Sequence, residues 1–343
     1  MKSVLPAFGL TGDLSEVKTF GSGLINHTWK ITSAGKSYIL QRVNQDVFKQ
    51  PADIAHNISL IAAYLKQHHP EYKFVAPLVS VSGDEMIYQA DEGYYRLFPF
   101  VPGSYSRDTV ETPGQAFEAA SQFGRFTRLL SGIDAGLLKI TIPFFHDLDL
   151  RYQQFMQAIQ KGNRQRLEEA DKLVKKLVSH ADIVTEFNQI RRNPEFKLRV
   201  THHDTKISNV LFDENGKGIC VIDLDTVMPG YFISDVGDMM RTYLSPVSEE
   251  EEQVEKIVVR QEFYRAIVDG YHREMQDELT PTEKKYFFYS GCFMIYMQAL
   301  RFLTDYLNND QYYGARYPRH NFVRARNQTV LLEKLLEQKD ALV

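Results

Sequence analysis

Short apolar runs broken by glycine occupy the first forty or so residues. Val17, Phe20, Trp29, Ile31, Tyr38 and Leu40 fall in runs interrupted by Gly21, Gly23 and Gly35, which reads as two hairpins. After Pro51 the spacing changes. Ile54, Ile58, Ile61, Ala62 and Leu65 recur at helical intervals, so a helix is predicted there. Strand-like runs return at 75–81, 86–89 and 94–100, around a turn at Ser82-Gly83-Asp84. Pro99, Pro102 and Gly103 then punctuate the chain, and beyond them the apolar period is helical. One helix is predicted over 113–130 from Phe117, Ala120, Phe123, Phe126 and Leu130. Another is predicted over 164–190 from Leu167, Ala170, Val174, Leu177, Ala181, Val184 and Phe187. Two later helix starts are expected from capping-box patterns: Ser248-Glu249-Glu250-Glu251, and Thr280-Pro281-Thr282-Glu283 with proline at the first helical position. The pattern predicts an α+β protein, with a small β-rich lobe at 1–101 and a larger α-helical lobe at 102–343.

The bulk numbers narrow the function. Net charge is −4 and both signs are dispersed along the chain, which argues against a nucleic-acid-binding surface. The longest uncharged stretch, 286–300, lies between Lys285 and Arg301. At 15 residues it falls short of the roughly 20 needed to span a bilayer, and a buried core helix is expected instead. The first 20 residues lack a basic start, an apolar core and a small-residue cleavage site. Cys220 and Cys292 both sit in apolar runs, as expected of buried thiols in a reducing compartment. A cytoplasmic monomer without membrane or nucleic-acid partners is expected.

The candidate chemistry is concentrated in His202-His203-Asp204-Thr205-Lys206-Ile207-Ser208-Asn209, followed by Val221-Ile222-Asp223. This is H-x-D-x-K-x-x-N and then an apolar strand ending in aspartate. Phosphoryl transfer needs a carboxylate beside the attacking hydroxyl, and an amide oxygen and a second carboxylate to hold Mg²⁺ against ATP phosphates. Asp204 is the expected base, and Asn209 and Asp223 the expected metal ligands. Lys206, two residues after the base, is placed to steady the transferring phosphate. His202 and Asp235 are expected to brace the loop. Asp225 reads either as a metal contact or as a structural hydrogen-bonding group.

Gly21-Ser22-Gly23-Leu24-Ile25-Asn26 is G-x-G-x-x-N between two strand-like runs. A dinucleotide fold would place a helix directly after such a loop, whereas Trp29-Lys30-Ile31-Thr32 reads as a strand. The loop alone is equally an ordinary glycine-rich turn. Together with the Asp204 motif it reads as a hairpin over ATP phosphates, with Gly21, Ser22, Gly23 and Asn26 at the nucleotide. Gly35-Lys36-Ser37 is no P-loop, because Lys30 stands where the first glycine would fall. Arg42, on the third strand, is the expected phosphate-binding cation. The helix after Pro51 has no glutamate to pair with it, leaving Asp53 or Asn57 as substitutes. Phe98 and Phe100, in the segment joining the lobes, are expected at the adenine by analogy with kinases, although core packing explains them equally well.

Three features exclude a protein kinase. His203 stands where many protein kinases carry arginine. Asp223-Leu224-Asp225 replaces D-F-G. Ser234-Asp235 begins only eleven positions after Asp223, with no A-P-E following. The chain resembles the aminoglycoside-phosphotransferase and choline-kinase superfamily, and within it the N-acetylhexosamine 1-kinase branch. The residues carrying the resemblance are Gly21 to Asn26, Leu40-Gln41-Arg42-Val43-Asn44, Asp204-Thr205-Lys206, Ile222-Asp223-Leu224-Asp225-Thr226-Val227-Met228-Pro229-Gly230 and Leu300-Arg301-Phe302-Leu303-Thr304-Asp305-Tyr306-Leu307. The resemblance implies a two-lobed protein-kinase-like fold and ATP- and Mg²⁺-dependent transfer of the γ-phosphoryl group to the anomeric hydroxyl of GlcNAc or GalNAc. It implies that Asp204, Thr226, Arg301 and Tyr312 line the sugar site. From the residues alone, Arg301 inside an apolar helix is either functional or half of a salt bridge with Asp305. The other readings are a kinase of the same fold for an amino alcohol, homoserine or an aminoglycoside, and an inactive nucleotide-binding scaffold.

Overall fold

In the computed structural model, residues 2–11, 14–21 and 25–343 are described. The architecture is α+β, with a β-sheet lobe early in the chain and a helical lobe after it. The chain divides into two compact units. One comprises Met1–Asp108, Leu129–Pro143 and Ser208–Pro229; the other comprises Thr109–Arg128, Phe144–Ile207 and Gly230–Val343.

The first unit is built on an antiparallel sheet of β1 (Leu14–Thr19), β2 (His27–Ser33), β3 (Lys36–Arg42), β4 (Ile87–Gln89) and β5 (Gly93–Pro99), ordered β1-β2-β3-β5-β4. The turn between β2 and β3 is made by Ala34 (φ 48°) and Gly35 (φ 73°). Two consecutive left-handed residues match the strand twist in a two-residue hairpin. One face of the sheet closes over Val4, Leu5, Ile31, Leu40, Tyr95 and Leu97. Helix α1 (Pro51–His68) buries Ile54, Ile58, Ile61 and Leu65, the periodic residues apart from Ala62. The expected strand at 75–81 does not form. Its amides bond in turn to Leu97, Asp84 and Ala7, so no single neighbour offers a ladder, and Val79 and Val81 are exposed. β7 (Val210–Phe212) and β8 (Gly218–Val221) form the hairpin of the acidic motif; β6 (Arg199–Thr201), which precedes them in the chain, belongs to the second unit.

The second unit contains α2 (Pro113–Leu129), α3 (Leu148–Lys161), α4 (Arg164–Ser179), α5 (Asp182–Arg192), α6 (Phe232–Tyr243), α7 (Gln261–Met275), α8 (Phe287–Leu307), α9 (His320–Glu337) and α10 (Lys339–Leu342). Helix α8 is its axis, packed by α3, α4, α5, α6 and α9. Being surrounded, it is apolar on nearly every face, which accounts for the uncharged run at 286–300. Among the described residues no helix is long and apolar enough to cross a membrane. Gly237 lets α6 approach α8 closely, since a β-carbon there would sit 2.8 Å from the Met294 Cβ.

Two further expectations, both in the second unit, are not met. The helix predicted over 164–190 is two helices broken at His180 and Ala181. The apolar period runs through the break, but the halves bury against different partners: α4 meets α8 and α9, and α5 meets α3 and α8. The Ser248 box opens no helix. Ser248 Oγ accepts from the Glu250 amide in a turn, and Glu249 is drawn into ion pairs with Arg241 and Arg324. At Thr280 the reciprocal box does form. The Thr280 amide donates to Glu283 (2.9 Å), and the Glu283 amide donates to Thr280 Oγ1 (3.0 Å), ahead of a 3₁₀ turn leading to α8.

Candidate active site

The loop carrying Asp204 leaves β6 and is pinned to the start of α6. The amides of His202 and His203 donate to the two carboxylate oxygens of Asp235 (3.1 and 2.7 Å). The Thr205 amide donates to Asp238 (2.9 Å), Thr205 Oγ1 to the Asp235 carbonyl (2.7 Å), and the Tyr243 hydroxyl to the Thr205 carbonyl (2.6 Å). His203 is held at φ 66°, a strained conformation for a residue with a β-carbon. Both expected braces are therefore present: Asp235 through its carboxylate, and His202, whose Nδ1 meets the Asp204 amide at 3.4 Å. Asp204 is partly exposed and pairs with Lys206 at 3.1 Å. A carboxylate and an ammonium side by side on a rigid loop suit proton acceptance next to a charged leaving or transferring group.

The anchors are electrostatically unusual. Burial raises the Asp235 carboxyl to about 7, against the two amide bonds that favour its charged form. Burial also raises Asp238, opposed by Arg241. Sequence reasoning missed Asp238. The signal was available: a second aspartate three residues after Asp235, on a helix otherwise almost wholly buried.

In the first unit, Asn209 and Asp223 flank the β7–β8 hairpin, and the Ile222 amide donates to the Asn209 carbonyl (2.9 Å). Asp223 is exposed, with φ 61°. An amide oxygen and a carboxylate are hard donors of the kind Mg²⁺ takes, its remaining positions going to water and phosphate. The residues therefore fit the ion. Thr226 is buried in the 3₁₀ turn Leu224–Thr226. Asp225 is structural in its contacts. It pairs with Arg96 at 2.5 Å, both side chains being at most 2 % exposed, and accepts from Asn26 (2.7 Å). Asn26 in turn accepts from the Asn44 amide (3.0 Å). Asn26 thus ties the end of the glycine loop to Asp225 through its side chain.

Of the loop itself, Gly21 follows β1 with φ 80° and open space around a hypothetical β-carbon, while Ser22 and Gly23 lie outside the described residues. Arg42 ends β3, opposite His27 and Tyr95. Asn57 is no partner for it, because its amide is used on the Lys139 and Val227 backbone. Phe98 lies under the Arg96 guanidinium at 5.1 Å, and Phe100 under the Lys30 ammonium at 4.1 Å.

Arg301 and Tyr312 line a pocket of about 400 Å³ in the second unit, between α3 and α8. Arg301 does not pair with Asp305. That carboxylate accepts from the Tyr312 and Tyr313 amides (2.7 and 2.9 Å) and from Asn321 (3.1 Å). Arg301 instead bonds Gln298 (3.1 Å) and lies near the rings of Phe145, Tyr312 and Tyr313. Phe145 stacks on His146, whose Nδ1 is 3.3 Å from that of His203. Burial, then His203 and Arg301, hold His146 well below the usual imidazole range.

Solved structures share this fold over nearly their whole lengths. A microcompartment-associated aminopropanol kinase matches with TM-score 0.65 at 17% identity, covering 100% of this chain and 98% of that one. An aminoglycoside phosphotransferase from Alicyclobacillus acidocaldarius matches with TM-score 0.65 at 14% identity, covering 100% and 97%. An amicoumacin kinase solved with AMP-PNP and Ca²⁺ matches with TM-score 0.64 at 16% identity, covering 97% and 92%. The model of the phosphotransferase enzyme family APH matches residues 16–276. With most of its length matched, including the Asp204 loop, both metal-ligand candidates and the glycine loop, this chain belongs to the APH phosphotransferase family.

Proposed function

We propose that the protein is an ATP- and Mg²⁺-dependent kinase that phosphorylates the anomeric C1 hydroxyl of an N-acetylhexosamine, GlcNAc or GalNAc. The observation that carries phosphoryl transfer is the Asp204–Lys206 pair on a loop fixed by five hydrogen bonds to α6. In this reading residues 1–101 hold the nucleotide, and 102–343 carry catalysis and the acceptor, in a cytoplasmic monomer. Asp204 orients the sugar hydroxyl and accepts its proton. Lys206 neutralises charge on the transferring group. Gly21, Ser22, Gly23 and Arg42 hold phosphates, Asn26 keeps their loop in place, and Phe98 and Phe100 flank the adenine. Asn209 and Asp223 would hold Mg²⁺, which supplies charge neutralisation at the phosphates when bound.

Thr226, Arg301 and Tyr312 are assigned to the sugar by the motif resemblance. The pocket chemistry supports that choice over a cationic acceptor. Arg301 has no carboxylate partner among the described residues, and an amino alcohol or aminoglycoside would meet its like charge.

An acceptor panel with ATP and Mg²⁺, read by ³¹P NMR, tests the reading. N-acetylhexosamines should be phosphorylated at C1 far better than choline, homoserine or kanamycin. Asp204→Asn should keep ATP binding and lose about 10²–10⁴-fold in turnover, whereas Asp223→Asn should fail through Mg-ATP. Full turnover by Asp204→Asn, or a clear preference for a cationic acceptor, would reject it.

A further inference from the structure

The pocket between α3 and α8 holds more positive charge than a neutral sugar requires. Arg151 and Lys161 reach it from one face of α3, and Arg301 from α8. Among the described residues the only carboxylate lining it is Asp305, whose oxygens already accept three N–H donors. Among the described residues, none of the three cations forms an ion pair with a carboxylate.

Hydrogen bonding leaves a second deficit. Arg151 donates to Gln154 (3.1 Å) and to the Phe144 carbonyl (2.9 Å), yet its Nε is buried without a partner, as is Thr304 Oγ1. A buried donor without an acceptor is costly. Burial, and after it the like charge of Arg301, lower the Arg151 pKa from its usual value. An incoming oxyanion answers the uncompensated charge, since a guanidinium binds carboxylate or phosphate through parallel bonds.

From this pocket the contacts Arg301–Phe145–His146–His203 lead to the residue preceding Asp204. We propose that the Arg151–Lys161–Arg301 pocket is an oxyanion subsite, so that among N-acetylhexosamines the preferred acceptor carries a carboxylate or phosphate at the end remote from its reacting C1 hydroxyl. This rests on the reading of Arg301 as an acceptor contact.

Calorimetric titration of the whole protein at fixed ionic strength tests it with three probes: GlcNAc, GlcNAc 6-phosphate and inorganic phosphate. The 6-phosphate should bind about tenfold or more tightly than GlcNAc. That advantage should shrink to below about threefold in Arg151→Gln and be partly restored in Arg151→Lys. Lys161→Gln changes an exposed side chain and keeps the test usable where Arg151→Gln fails to fold; it should lower the advantage less.

If inorganic phosphate alone binds and responds to these variants while the 6-phosphate gains nothing, the oxyanion is a free ligand and the acceptor-borne form is rejected. If no probe responds to either substitution, the subsite does not exist. Binding is read without turnover, so the two readings fail separately. A phosphate site sensitive to Arg151 in a protein that transfers nothing to hexosamines would reject the hexosamine assignment and leave the subsite standing.

Discussion

Replacing Asp225 by asparagine tests how the glycine loop is held. Asp225 and Arg96 are 2 % and 1 % exposed, with 2.5 Å between Oδ1 and Nη1. Those two atoms meet outside hydrogen-bonding geometry, so charge attraction carries the contact. At about 4 Å between charge centres and an effective dielectric near 20, that attraction is about 4 kcal/mol. Removing one partner of a buried pair typically costs about 3–5 kcal/mol, because the other charge stays buried. Arg96 keeps two bonds to Gln41 Oε1 (3.1 and 2.8 Å), which places the expected loss near the lower bound, at about 3 kcal/mol. In a cooperative unit of about 150–250 residues this lowers Tm by about 6–12 °C. Arg96→Met should also destabilise, and the double variant should recover most of the loss, with a coupling energy above about 2 kcal/mol. Asn26 donates to the same carboxylate, so surviving Asp225→Asn enzyme should show a raised ATP KM and an unchanged acceptor KM. Urea titrations of the four proteins, followed by circular dichroism, measure the cycle. A loss below about 1 kcal/mol, or single effects that simply add, would refute the reasoning.

Arg301→Met should raise the acceptor KM about tenfold and leave the ATP KM alone. It should cost only about 1 kcal/mol of stability, for the lost Gln298 bond, since methionine keeps the apolar stem; early melting with an unchanged acceptor KM would reject the acceptor contact. For Asp235, whose pKa is raised to about 7 from an unfolded value near 4, the folded chain binds the extra proton between those pH values. Its stabilising contribution is therefore full below about pH 4 and is lost as pH rises through 7, at up to about 1.4 kcal/mol per pH unit. The stability of wild type minus that of Asp235→Asn should fall across that window in thermal denaturation, and a flat difference would contradict the buried, proton-retaining carboxyl.

The sequence by itself determined what is local. Spacing placed Asp204, Lys206, Asn209 and Asp223 on a loop and hairpin, because the two- to five-residue separations from Asp204 to Asn209, and the short apolar strand before Asp223, constrain geometry locally. Apolar period placed α1 and α2, and the uncharged run gave α8, because a helix packed on all sides admits charge nowhere along its centre. Tertiary structure decided what depends on partners. Strand 75–81 failed for want of a continuous neighbour, and the 164–190 helix broke because its halves bury against different helices. Glu249, expected in the first turn of a helix, is drawn instead to two arginines. The choice between a metal contact and a structural bond for Asp225 turned on Arg96, distant from it in the sequence, and the Arg301–Asp305 pair gave way to the amides of Tyr312 and Tyr313. A carboxylate is drawn to the nearest donors in space, and pattern along the chain does not report which donors those are.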